Sequence, residues 1–210
     1  MIFVFKSTFA ECAFITILRH DFETATTVGY LLSSTTAPVH HILLGIPAQF
    51  RALTHPLLVP NLTVEQMLEE ATFTLAFVDS MITDIEDGAG FNDYNAIESD
   101  SGQSDSFQDY RALSRDLGGA ASKFAYLKSR ILTVKAMHKF LSQELKSHRS
   151  WIPEEKRQDY TESTRTLIER AGYKASHIEH LLLYRGIEMR LQVQQSVVSI
   201  TDLTIIPMRY

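Results

Sequence analysis

A long heptad-spaced run of apolar residues in the second half of the chain limits the folds open to it. From Leu113 to Leu145 these positions follow one another at alternating spacings of four and three residues. This period is typical of a helix with a coiled-coil-like face, and His138 fits it as a core or register-setting polar residue. Ala120 and His138 complete the alternation, and we call the large apolar residues of the run the seam: Leu113, Leu117, Phe124, Leu127, Ile131, Val134, Leu141 and Leu145.

A second long helix is predicted after the turn at residues 147–153. Pro153, Glu154 and Glu155 form a favourable first turn of a helix. Proline has no backbone N–H, but an N–H group at this position would have no partner within the helix, and the carboxylates are stabilised by the positive end of the helix dipole. Apolar periodicity continues to about Thr201, with Gly172 as a candidate break. Residues 110–203 therefore predict a stalk-like helical hairpin, followed by a tail at 204–210.

An acidic helix is predicted upstream, over residues 61–87. Thr63 and Gln66 have the spacing of a capping box before an apolar-periodic run, and Gly88 is expected to end the helix. Residues 88–109 are rich in Gly, Ser, Asp and Asn and show no periodicity. We predict a disordered acidic loop there.

The first 60 residues carry β-type patterns. Cys12–Leu18 and Thr26–Leu32 are short β-branched or aromatic runs that predict a hairpin or two neighbouring strands. The apolar start of the chain, Met1 to Leu18, predicts a buried strand region. A helix is predicted to begin at Pro38 and to be interrupted at Gly45 and Pro47. Residues 55–60 predict an extended connection. The expected fold is mainly α (α+β), a small β-containing region followed by long antiparallel helices in a coiled-coil-like bundle.

Composition excludes several classes of protein. No apolar run reaches the 18 or more residues of a membrane span, so this chain alone is not expected to insert into a bilayer. Its single cysteine, Cys12, fits a reducing compartment, and we expect a cytoplasmic location unless a longer product carries transmembrane helices. A net charge of −5 and a basic helix without interleaved aromatics argue against nucleic-acid binding.

Acidic residues concentrate before the seam. Residues 52–110 hold twelve acids and no Lys or Arg, whereas residues 111–210 hold seventeen bases. Packing against the basic helices, or simple solvation, explains such a segment; alternatively it attracts Mg²⁺, which prefers carboxylates and water. The candidate metal ligands are Asp79, Asp84, Glu86 and Asp87, at a helix C-terminus where anions are disfavoured. No cofactor is required, and Mg²⁺ is the one ion suggested.

Patterns for covalent chemistry are weak, so we predict no enzyme. The sequence has no phosphate-binding loop, nucleophile elbow or paired-cysteine zinc pattern. The histidine pairs His177/His180 and His40/His41 lack a further ligand at convincing spacing. A helical metal-dependent enzyme of the terpene cyclase type would need its aspartate motif inside a cavity, but the run at residues 84–87 lies at a helix end.

The order of segments resembles the cytosolic portion of fungal CorA-like magnesium transporters, over roughly Cys12 to Ile200. The resemblance is carried by LRHDFETATTVGYLL, by HPLLVP, by the acidic helix, by DYRALSRDLGGAASKFAYLKSRILTVKAMHKFLSQEL, and by TRTLIERAGYKASHIEHLLLYRGIEMRLQVQQSVVSI. It implies an α/β cytosolic domain and a stalk helix, which corresponds here to residues 161–200. In that family the stalk leads to a membrane span ending in Gly-Met-Asn, and this chain contains neither.

Two functional hypotheses follow. In the first, the chain is a non-catalytic CorA-like domain that lacks the pore and that senses cations or oligomerises. Under this hypothesis we expect the closing TIIPMRY to be a truncation or an altered reading frame. In the alternative, it is a helical protein–protein interaction module without a metal role. Either version allows a homo-oligomer assembled through the seam.

Overall fold

A computed structural model describes residues 2–6, 14–33, 36–88, 110–184, 190 and 192. It confirms a mainly α-helical fold with a small antiparallel sheet near the N-terminus. Short 3-10 helices lie at Phe50–Ala52, His148–Ser150 and Glu154–Lys156. The longer elements in these residues are β1 (Ile2–Lys6), β2 (Phe14–Asp21), β3 (Thr26–Ser33), α1 (Thr36–Ala48), α2 (Leu58–Gly88), α3 (Tyr110–Lys146) and α4 (Arg157–Leu182).

Of the two arrangements predicted for the strands, the hairpin is the one observed. Strands β2 and β3 pair antiparallel, from Phe14 opposite Ser33 to Asp21 opposite Thr26, and β1 pairs antiparallel with the other side of β2. The expectation that the start of the chain is a buried strand region is wrong for one face, because Ile2 and Val4 are exposed. Successive side chains of a strand point to opposite faces, and only the inner face, with Leu18, is covered.

Gly29 is required by the sheet, where it lies opposite Leu18. A Cβ atom at this position would fall on the Ile17 carbonyl oxygen and within 2.9 Å of the Leu18 Cα atom. Both are backbone atoms, which cannot rotate away. We expect Gly29→Ala to lower the free energy of unfolding by about 2 kcal/mol or more, measured by urea denaturation.

Gly118→Ala is the matched control for this substitution. Gly118 lies inside α3, and a Cβ atom there meets nothing within 4 Å. Alanine is favoured over glycine in a helix by about 1 kcal/mol, so this variant should be as stable as the wild type or more so. Equal stability of the two variants would contradict the steric account of Gly29.

Helices α1 and α2 differ from their predicted bounds. Helix α1 continues through Gly45 and has Pro47 in its last turn. Helix α2 begins at Leu58, so the predicted extended connection ends earlier than expected. Pro60 is tolerated because the first N–H groups of a helix have no intrahelical partner. Thr63 is therefore inside the helix, where its hydroxyl donates to the Val59 carbonyl at 2.9 Å instead of capping.

The helical hairpin is confirmed for α3 and α4, but the second helix is shorter than predicted. Lys135 pairs with Glu179 and His138 contacts Ala171, so the two helices are antiparallel. Gly172 does not break α4, which instead ends at Leu182. Arg190 and Gln192 are helical again. The predicted loop at 88–109 begins one residue too early, because Gly88 is the last residue of α2. The rest of that loop, residues 89–109, and the predicted tail at 204–210 lie outside the described residues.

The chain divides into two compact units. The first unit comprises Met1–Ala71 with Arg130–Leu181, and the second comprises Thr72–Ser129 with Leu182–Tyr210. Helices α2 and α3 thus contribute to both. The best-buried large side chains of the first unit include Ile42, Leu57, Met67, Leu145, Tyr160 and Leu167, and those of the second include Ile82 and Leu127.

Candidate functional site

The predicted acidic cluster lies at the end of α2, in the second unit, and two of its four carboxylates bind Arg190. Arg190 donates from Nη1 to Asp79 at 2.7 Å and from Nε to Glu86 Oε1 at 2.9 Å. Its Nη2 donates to the other oxygen of Glu86 and, at 3.0 Å, to the Thr83 hydroxyl. We call Asp79, Thr83, Glu86 and Arg190 the acidic clasp.

Helix geometry explains how the acidic clasp is assembled. Positions 79, 83 and 86 share one helix face, because they are four and then three residues apart. Carboxylates near a helix C-terminus are disfavoured by the dipole, and the Arg190 guanidinium offsets this. Hydrogen bonding to Glu86 raises the pKa of Arg190 above its usual value, and the charges of Glu86 and Asp79 add to this effect. Asp84 and Asp87 are exposed outside the clasp.

A second charged cluster, in the first unit, joins α2 to α4 and was not predicted. Arg170 Nη2 donates to both oxygens of Glu65, at 2.7 and 2.8 Å, and Nη1 donates to Gln49 at 2.6 Å. The ammonium group of Lys174 lies 3.5 Å from Glu65 and donates to the backbone carbonyl of Asn61 at 2.9 Å and to its side-chain oxygen. Two cations therefore share the Glu65 carboxylate.

Burial distinguishes Lys174 from its neighbours in this cluster. Its side chain is 4% exposed, against 30% for Glu65. Burial lowers the pKa of Lys174 to about 8, and the opposing charge of Glu65 limits the shift. A cavity of about 210 Å³ adjoins the cluster, lined by Glu65, Gln49 and Arg170 among others. The cluster ties the two helices together through a partly dehydrated carboxylate.

Two buried histidines form a third polar group, in the first unit. His20 contacts the Thr27 hydroxyl and the Tyr160 hydroxyl, each at 2.8 Å. His55 Nδ1 accepts the Leu57 N–H at 3.1 Å, so a neutral His55 carries its proton on Nε2 and donates it to Thr164 at 3.2 Å. Burial, and to a lesser degree positive charge on His148 and His20, lowers the pKa of His55 to about 3.

The seam is largely covered within the single chain. Six of its residues are buried, namely Leu117, Leu127, Ile131, Val134, Leu141 and Leu145. Phe124 is half-buried, and the side chain of Leu113 lies outside the described residues. Within the seam, His138 Nε2 donates to the Ala171 carbonyl at 2.7 Å, as a register-setting residue would. Docking through the seam would require the helices to separate.

The remaining candidates stay apart from one another. Across residues 2–6, 14–33, 36–88 and 110–184, with 190 and 192, no three His, Cys, Asp or Glu side chains are grouped to hold a metal ion. The rings of His40 and His41 lie edge to face, 6.3 Å between centroids. Cys12 is outside the described residues.

Sequence reasoning found the acids of the clasp but missed Arg190, Glu65, Arg170 and Lys174. The spacing of Asp79, Thr83 and Glu86 was a usable signal for a shared face. No comparable signal marked the charged partners, because charged residues on a helix usually belong to a solvated face.

The fold and these clusters define a mainly α-helical protein with a small N-terminal sheet and charge-linked helices. None of the known protein families matches the chain, and no significantly similar curated protein was found. Among the described helices, none is both long and apolar enough to cross a membrane.

Proposed function

We propose that the chain is a non-catalytic helical module that responds to divalent cations through its acidic clasp. The observation that carries the proposal is that Arg190 donates to both oxygens of Glu86 and to one oxygen of Asp79. Arg190 lies in the segment, residues 161–200, that corresponds to the stalk in the CorA-like resemblance. A cation that competes for these carboxylates would change their hold on that segment.

Magnesium fits the carboxylates but not the guanidinium. Mg²⁺ in proteins keeps several waters and usually takes only one or two carboxylates as protein ligands, and Asp79 and Glu86 are two such carboxylates. Arg190 occupies both groups in the described arrangement. We therefore infer that Mg²⁺ and Arg190 exclude each other, and that millimolar Mg²⁺ releases the segment around Arg190.

The resemblance to CorA-like transporters also supports a location and a mode of action for the proposed module. It implies a cytoplasmic module that transmits a cation signal along its helices and performs no covalent chemistry. Assembly into a homo-oligomer is part of the same proposal, through a surface other than the covered seam.

Melting in the presence of Mg²⁺ tests the clasp. A ligand that binds only the native state stabilises it by about 1.4 kcal/mol at ten times its Kd, which is roughly 3–6 °C for a chain of this size. We expect MgCl₂ to raise the Tm of the wild type beyond an NaCl control of equal ionic strength. Arg190→Gln should show a larger rise, because no guanidinium competes, and Asp79→Asn/Glu86→Gln should show none.

Absence of any Mg²⁺-specific shift, in both the wild type and Arg190→Gln, would exclude cation sensing. In that case the alternative hypothesis, an interaction module without a metal role, would stand. Mass in solution with and without Mg²⁺ separates the two, since only the first hypothesis makes association depend on the ion.

A further inference from the structure

A groove of about 600 Å³ lies between α3 and α4 in the first unit. Ile168, Ala171, Ala175 and Ile178 supply apolar or small side chains from α4, and Leu145 supplies another from α3. Along α3 the groove runs from Lys135 to Lys146, about 16 Å at 1.5 Å per residue, or three helical turns. It is thus long enough for a short helix.

The rim of the groove is basic. Lys135, Lys139 and Lys146 line one side of it, and the single acid among the lining residues, Glu179, is paired with Lys135 at 2.7 Å. Lys139 and Lys146 are exposed, and neither forms an ion pair with another described residue. His138 adds no fixed charge near neutral pH, since burial lowers its pKa. Two positive charges without an ion-pair partner among the described residues therefore border an apolar floor.

Small residues leave room for the close approach of another backbone. A Cβ atom at Gly172 would meet nothing within 4 Å, and Ala171 and Ala175 lie one turn apart on the same helix. Small side chains at such spacing allow helices to pack closely. An open, three-turn groove with these properties matches the mode in which an amphipathic helix lays its apolar face between two helices.

We propose that this groove binds an acidic amphipathic helix of a partner protein. Its small apolar side chains would pack on Ala171, Gly172 and Ala175, and its carboxylates would pair with Lys139 and Lys146. The positive charge of the rim requires a negatively charged partner, and the close packing allowed by the small residues of the floor requires small side chains on the partner helix. This surface is distinct from the acidic clasp, so failure of either proposal leaves the other standing.

A pair of synthetic helices tests the proposal on the full chain. The probe is a fluorescent amphipathic peptide of about 15 residues, with Ala and Leu on one face and Glu on the flank at spacings of four and seven residues. The matched peptide has Lys in place of every Glu. We expect the acidic peptide to bind about tenfold more tightly than the basic one in fluorescence anisotropy, with an advantage that shrinks as salt is added.

Two groove variants and one control sharpen the test. Lys139→Glu/Lys146→Glu should reverse the preference between the peptides, and Gly172→Leu should weaken binding of the acidic peptide about tenfold by filling the groove. Lys6→Glu/Arg19→Glu makes the same charge change on the exposed sheet face and should bind as the wild type does.

Equal or absent binding of both peptides would overturn the proposal, as would wild-type binding by both groove variants. Anionic vesicles of phosphatidylserine provide a further arm. If vesicles bind through Lys139 and Lys146 while the acidic peptide does not, the basic rim serves a lipid surface and the helix proposal is wrong.

Discussion

Glu65→Gln is expected to lower the free energy of unfolding by about 3 kcal/mol, the usual cost of leaving a buried charge without its partner. Glutamine keeps the shape of the side chain but removes the charge that Arg170 and Lys174 share. Lys174 is the decisive neighbour, because burial already lowers its pKa and Glu65 is the main opposing influence. Chemical denaturation near neutral pH measures the loss.

A double-mutant cycle identifies the cause of that loss. Lys174→Met removes the cation that Glu65→Gln leaves uncompensated, so the double variant should be more stable than the sum of the two single effects predicts. Glu162→Gln is the control, since Glu162 and its partner Arg51 are both more than 60% exposed. An exposed pair contributes about 0–1 kcal/mol. Similar losses for Glu65→Gln and Glu162→Gln would show that burial of the cluster does not matter.

His55 is expected to make the protein lose stability as the pH falls below 6.5. In the unfolded chain this histidine binds a proton near pH 6.5, whereas in the folded chain it does so only near pH 3. Between these values the unfolded state binds more protons, so each pH unit of acidification removes about 1.4 kcal/mol. Stability is therefore fully present above pH 6.5 and declines from there toward pH 3.

His55→Asn should flatten this acid slope. An asparagine oxygen can accept the N–H of the residue two positions on, as His55 Nδ1 accepts that of Leu57, but it does not titrate. Urea denaturation from about pH 7 to about pH 4 should give a slope shallower by about 1.4 kcal/mol per pH unit. His180→Asn, at an exposed position of α4, should keep the wild-type slope. If His55→Asn keeps it as well, the slope arises elsewhere.

Other histidines act in the same direction but more weakly. Burial lowers the pKa of His20 and of His138, and the hydrogen bond to the Ala171 carbonyl opposes this shift in His138. Part of the acid slope should therefore remain in His55→Asn. The Leu57 contact makes His55 the critical group, because a protonated Nδ1 cannot accept a hydrogen bond.

Much of the fold could be predicted because it follows from local periodicity. The alternation of four and three residues in the seam predicted α3, and the β-branched runs predicted the hairpin of β2 and β3. The bounds of α1 and α2 were predicted wrongly because proline and glycine, which usually break a helix, are tolerated at these positions. Residues 55–60 were predicted to be extended, yet α2 begins at Leu58 and accommodates Pro60 in its first turn. Gly45 was predicted to interrupt α1, yet it lies inside that helix and faces Leu62 of α2.

The candidate sites were less accessible to prediction, because their partners are far apart in the chain. Asp79 and Arg190 are separated by 111 positions, and Glu65 and Arg170 by 105. No local pattern states which charge on one helix meets which charge on another. The sequence indicated an acidic helix end but not the arginine that binds it.

By itself, the sequence determined that this protein has long amphipathic helices, a short strand hairpin and an uneven distribution of charge. These properties follow from side-chain order along the backbone, with periods near 3.6 for a helix and 2 for a strand. Tertiary structure alone decided that the seam is covered, that Lys174 is buried and that Arg190 binds Asp79 and Glu86. Those outcomes depend on how helices pack across more than a hundred residues, and packing determines which charges lose their water.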